Sequence, residues 1–168
     1  METFTAIDFE TANHSHDSAC AIGVVVVSGR RIVKRESFLI RPPSREFTFS
    51  WVHGLTWDDV RTAPTFRTIW PKLKRLIHEG DFLAAHNAKF DRSVLNGCCE
   101  SYGMKAPDRQ FVCTMQLARA QWGLYPTKLP DVCNALGLDL EHHNALSDAE
   151  ACARIVVAAQ KLGWKHDC

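Results

Sequence analysis

The chain reads as an α/β domain: a central mixed sheet of about five strands flanked by helices. Three observations predict this class. Apolar and β-branched residues near the N-terminus fall in short runs separated by turn residues. Further along, apolar residues recur at helical steps of three and four. From Phe82 onward, short apolar runs alternate with such helical stretches.

Residues 3–9 form the first strand. Ala21–Val27 is a β-branched run, and Ser28-Gly29-Arg30 is a hairpin-like turn leading into Ile32–Ile40, so the first three strands are antiparallel neighbours. Arg41-Pro42-Pro43 ends the third strand, because proline cannot continue a central ladder. Thr56-Trp-Asp-Asp has the form of a capping box and starts a short helix. Ala63-Pro64-Thr65 opens a longer one, with Phe66, Ile69, Trp70, Leu73, Leu76 and Ile77 on one face. Phe82–His86 is a short buried strand, followed by a helix from about Lys89 to Tyr102. Phe111–Cys113 is the last strand. Helices over Thr114–Trp122 and Leu129–Leu136 and from about Asn144 to Leu162 complete the chain. No repeat, low-complexity tract or linker interrupts the 168 residues, so residues 1–168 are expected to form a single domain.

The composition, 46% hydrophobic and 23% charged, is that of a soluble globular protein. No apolar run is long enough to cross a membrane and no leader pattern precedes the first strand, so a cytoplasmic protein with no membrane partner is expected. A net charge of +1 gives no broad field for polyanions; binding one requires local cations. The seven cysteines form no CxxC pair and are odd in number, as befits reduced thiols packed as small hydrophobes.

Four acids occupy positions where apolar residues are expected. Asp8 and Glu10 project from the same strand face, which runs back through Ala6 and Phe4. Asp91 shares a helical face with Leu95, Cys98 and Tyr102. Asp148 lies within the stripe Ala145, Cys152, Ile155, Val156 and Ala159. His143 stands five residues before Asp148, about 140° away on a continuous helix, so it reaches a shared site from another side. Two carboxylates about 4 Å apart repel by about 4 kcal/mol at an effective dielectric near 20. Four that converge therefore call for compensating cations, and an all-oxygen donor set selects Mg²⁺ or Mn²⁺. Two such ions form a clamp suited to phosphodiester cleavage.

These residues lie in three motifs. Asp8-Phe-Glu-Thr11, Ala85-His-Asn-Ala-Lys-Phe-Asp91 and His143-Asn-Ala-Leu-Ser-Asp148 resemble, in order, the motifs of the DEDD exonucleases of the DnaQ-like group, over roughly residues 1–160. The His-x4-Asp form marks the histidine subclass, DEDDh. Within it, the wording around Asp91 and in Val112-Cys-Thr-Met-Gln-Leu-Ala-Arg119 is similar to members of the exonuclease X type. The resemblance implies an RNase H-like fold and release of nucleoside 5′-monophosphates from a 3′ end, with two divalent cations as cofactors. It assigns Asp8, Glu10 and Asp148 to one cation. Asp8 is shared with the second, which Asp91 helps to position, and His143 is the base that deprotonates water. Thr11 resembles the residue that contacts the terminal sugar, and His53, in Val52-His-Gly-Leu55, belongs to a segment that packs against the terminal nucleotide.

The expected partner is the 3′ end of single-stranded nucleic acid, DNA preferred. An RNA-trimming enzyme and a polymerase-associated proofreading or binding module are the alternatives. The chain ends soon after the third motif, and stable association with a replicative polymerase is not expected. Lys89, Arg92, Arg119 and Lys128 are candidate phosphate contacts, and Trp122 and Tyr125 candidate base-stacking residues.

Overall fold

A computed structural model describes residues 2–166. β1 (Thr3–Thr11), β2 (Ala19–Ser28) and β3 (Arg31–Leu39) form an antiparallel meander. Gly29 and Arg30, with φ of 56° and 65°, make the two-residue turn between β2 and β3, the mirror-image type whose twist matches a hairpin. β4 (Phe82–Ala85) adds parallel to β1, and β5 (Phe111–Cys113) parallel to β4, so the sheet order is β3-β2-β1-β4-β5. The mixed five-stranded sheet flanked by helices is the architecture expected from the sequence. β2 is apolar along nearly its whole length because both its faces are covered, whereas edge strand β3 exposes Lys34 and Arg35, which blunt it against further pairing.

The helices are α1 (Ser50–His53), α2 (Trp57–Val60), α3 (Phe66–Glu79), α4 (Ala88–Ser101), α5 (Thr114–Trp122), α6 (Leu129–Leu136) and α7 (Ala145–Lys161). Thr65 caps α3 by accepting the Thr68 N–H, and the Thr56/Asp59 capping box of α2 is present. α1 has no counterpart in the sequence reading: four residues are too few to display a period. Among the described residues, no helix is long and apolar enough to cross a membrane.

Alternation along β1 divides the core. Ile7 and Phe9 face one way, toward Leu73 and Ile77 of α3 and Leu95 of α4. Phe4 and Ala6 face the other way, toward Ile155 and Val156 of α7. The even-numbered face continues through Asp8 and Glu10, so these two acids point to the α7 side. That helix lies close against the sheet because Gly23 pairs with Asp8 across the β1–β2 ladder. A Cβ on Gly23 would fall 2.1 Å from the Ala145 carbonyl oxygen and 2.6 Å from Leu146 Cα. A glycine in a strand thus marks close backbone approach, at the first turn of the helix that carries Asp148.

Candidate active site

The acids meet where β1 outruns its parallel neighbour. Pairing of β1 with β4 stops at Ala6, and the Phe9 N–H is taken instead by Asp91 Oδ1 at 2.9 Å. Asp91 is therefore tied to the strand that presents Asp8 and Glu10. Asp148, in the first turn of α7, arrives from the other side of the sheet end. One carboxylate oxygen from each of Asp8, Glu10 and Asp148 lies within 4.8 Å of the others. Asp91 stands outside this trio but close enough for its charge to act on Asp8 and Glu10.

Electrostatically the site is incomplete. Burial, then the charges of Asp91, Asp148 and Glu10, push the Asp8 carboxyl well above its ordinary range. Burial, then Asp148 and Asp91, raise Glu10 to about 8. Burial raises Asp91 to about 7 despite the Phe9 N–H, and it raises Asp148 despite His142 beside it. Two buried oxygens, Asp91 Oδ2 and Asp148 Oδ1, have no hydrogen-bond partner. Buried polar atoms are seldom left so. Unpartnered carboxylate oxygens, an all-oxygen trio and mutual repulsion together fit divalent cations of the hard, oxygen-preferring kind.

The predicted His143 and its neighbour His142 both reach this region. His143 adopts a left-handed backbone (φ 67°), and its N–H donates to Asp148 Oδ2 at 3.2 Å. Its ring stacks on His142 at 3.7 Å between centroids and remains exposed. His142 places Nδ1 3.1 Å from Asp148 Oδ2 while staying partly exposed. The turn before α7 brings both rings to the acid. Asn87, just before α4, is likewise left-handed (φ 61°), so strained backbone flanks the acids on two sides.

His53 is tied at both ring nitrogens: Nε2 lies 3.0 Å from the Thr11 carbonyl, and Nδ1 accepts the Leu55 N–H at 3.1 Å. Nε2 therefore carries the proton, and only the ring face is free to meet a ligand. His53 anchors Thr11, which is buried at the irregular end of β1.

A cleft of about 540 Å³ opens beside Asp8 and Asp148, with Arg119, Tyr125 and Lys128 on its far wall. His86 braces that wall: Nε2 lies 2.8 Å from the Thr127 carbonyl and Nδ1 2.9 Å from Thr114 Oγ1, while Arg119 Nε donates to Thr127 Oγ1 at 2.8 Å. Tyr125 is 85% exposed; Arg119 lies over its ring 6.0 Å from the centroid, and the opposite face is open to stack. The other candidate contacts separate from this group. Trp122 packs into the α7-side core, Arg92 lies over the Phe111 ring, and Lys89 is exposed but outside the cleft lining. The sequence reading overlooked His86, although it stands inside the second motif, and Gly23, although an interior strand glycine is a readable signal.

The family model described as "Exonuclease" (RNase_T) matches residues 5–156. The chain belongs to this exonuclease family. The exonuclease is 30% identical over 169 residues to DNA polymerase III PolC-type of Bacillus cereus, covering 95% of this chain and 11% of that one. It thus spans about a tenth of the length of the PolC-type relatives it matches. Its fold is that of exonuclease X, solved in complex with 5′ overhanging duplex DNA, with a TM-score of 0.77 at 24% identity, covering 96% of this chain and 94% of the other. The nuclease domain of 3′hExo, a DEDDh family member solved with rAMP bound, superposes with a TM-score of 0.79 at 23% identity, covering 96% and 93%.

Proposed function

We propose that residues 1–168 act as one catalytic unit, a 3′→5′ exonuclease that hydrolyses terminal phosphodiesters of single-stranded nucleic acid, DNA preferred, and releases nucleoside 5′-monophosphates. The observation that carries the reading is the acid trio beside an open cleft, with two buried carboxylate oxygens left unpartnered. Asp8, Glu10 and Asp148 would hold one divalent cation, Mg²⁺ or Mn²⁺, and Asp8 with Asp91 a second. When bound, such ions neutralise charge on the phosphoryl oxygens and lower the pKa of water.

The protein groups do the positioning and proton handling. Thr11 and the His53 ring face receive the terminal nucleotide, while Arg119, Tyr125 and Lys128 receive the strand behind it. His143 takes a proton from the attacking water. The water oxygen bonds to phosphorus as the bond to the 3′ oxygen of the penultimate sugar breaks, and that oxygen takes a proton from solvent to leave as a hydroxyl. His143 suits this task because burial and neighbouring His142 lower its pKa, with Asp148 opposing, so the ring is neutral at physiological pH.

The test compares matched DNA and RNA oligomers with Mg²⁺, followed by nucleotide release. Faster release from DNA is expected. Rapid loss of RNA with DNA intact would reverse the preference, and release of neither would remove the enzymatic reading.

A further inference from the structure

We propose that an arginine-lined pocket on the loop segment after β3 is a second nucleic-acid site, which grips backbone phosphates of the substrate strand upstream of its 3′ end. This inference rests on the exonuclease reading for the identity of the occupant.

The pocket, about 690 Å³, is lined by Arg41, Arg45, Arg61, Trp57, Thr65 and Tyr102, together with two prolines. Its guanidinium groups are held mainly by neutral partners. Arg41 Nη1 donates to the Arg61 carbonyl at 3.4 Å, and Arg45 lies 5.3 Å from the Trp57 ring centroid. Arg67, beside the pocket, donates Nη2 to the Tyr102 carbonyl at 2.7 Å and lies over that ring at 5.8 Å. The acid contact is weak: Arg61 is 3.5 Å from Asp58, which is 89% exposed. Asp59 is engaged in capping Thr56.

Some cations outside the pocket are neutralised, while others, among them Arg119 and Lys128 of the cleft, have no carboxylate within 4.0 Å among the described residues. Lys34 pairs with Glu79 at 2.6 Å, Lys72 with Glu36 at 2.9 Å, and Arg35 and Arg154 share Glu150. Among the described residues, Arg41, Arg45 and Arg67 have no carboxylate within 4.0 Å, in a chain whose net charge is only +1. Oriented, uncompensated guanidiniums beside two aromatic rings are the features that bind single-stranded backbone and stack bases.

The pocket is also within reach of the acids. The chain that forms it carries His53, which holds Thr11, and Trp57 follows four residues later, at most about 14 Å away along the chain. Val60 packs with Ala12 and Cys20, joining the pocket's helix to the end of β1. Asp8, Glu10, Asp91 and Asp148 offer a polyanion no attraction of their own, so affinity for a strand has to come from cations set back from the reacting phosphate. The arginine pocket supplies them.

The test uses fluorescence anisotropy in EDTA, which reads binding without cleavage. Labelled single-stranded DNA of about 4 and about 16 nucleotides is compared on wild type and on the Arg41→Gln/Arg45→Gln/Arg61→Gln variant. Wild type is expected to bind the long oligomer more tightly. The variant should lose roughly tenfold in that affinity and about 2 in the slope of log K against log salt, near 0.7 for each phosphate no longer neutralised. Degradation of the short oligomer in Mg²⁺ should be unchanged. If the triple variant misfolds, Arg41→Gln and Arg61→Gln alone should each lower the slope by about 0.7.

Wild-type affinity and slope in these variants would overturn the proposal. So would binding of polyglutamate or phosphatidylserine vesicles to wild type, lost in the triple variant, at concentrations where the oligomer does not bind. Failure of wild type to degrade the short oligomer would count against the exonuclease reading, while anisotropy in EDTA still reads the pocket.

Discussion

Replacing Glu10 with Gln should abolish catalysis yet stabilise the metal-free protein. Glu10 is 9% exposed, and its carboxyl is raised from 4.5 to about 8 by burial and by Asp148 and Asp91. The folded state therefore holds a proton that the unfolded chain has released. Stability of the metal-free protein falls as pH rises from 4.5 toward 8, the reverse of an acid held in a salt bridge. At pH 7 the interval above 4.5, at about 1.4 kcal/mol per pH unit, amounts to about 3 kcal/mol. Gln keeps the shape without that cost, and its amide N–H groups can donate to the neighbouring acids. For a chain of this size the gain corresponds to about 6–12 °C in Tm. The assay is thermal unfolding of both proteins in EDTA at pH 5 and pH 7. Gln should melt higher at pH 7, with a difference below about 1 kcal/mol at pH 5. Added Mg²⁺ should stabilise wild type more than the variant. A Gln variant that melts at or below wild type in EDTA at pH 7 would show that Glu10 carries no such strain.

Two further substitutions probe the surroundings of the acids. His143→Ala should lower kcat by a factor of order 10²–10⁴ and remove the rise of activity with pH that a neutral base with a lowered pKa produces; an unchanged pH profile would make the ring structural. Gly23→Ala should force the start of α7 away from the sheet, since its Cβ would meet the Ala145 carbonyl at 2.1 Å. A displacement of about 1 Å at Asp148 should cost of order 10² in kcat, with about 1–3 kcal/mol of stability, read by kinetics and melting. Full activity in this variant would mean that the helix tolerates a wider spacing.

Much of the architecture was legible because strand and helix periods differ. The even-numbered face of β1 and the stripe of α7 each place acids at apolar positions, and the three motifs put those acids in one family. Where legibility failed, the missing information was three-dimensional. Gly23 is visible as a glycine between Ile22 and a run of four valines, but its purpose depends on a helix more than a hundred residues later. That both adjacent histidines turn toward Asp148 goes with the left-handed backbone at His143. Trp122 looked available for stacking, yet it is partly buried against the second core. The arginine pocket joins residues 41–65 to Tyr102, a proximity that no local pattern announces.

The most direct measurement is digestion of single-stranded DNA labelled at its 5′ end, with Mg²⁺ and with EDTA, resolved by product length over time. A 3′→5′ exonuclease built on these acids gives a ladder that shortens from the 3′ end, in Mg²⁺ alone, with none from Asp8→Ala. Release of the labelled 5′ nucleotide at the outset, internal cuts, or equal digestion by Asp8→Ala would contradict it.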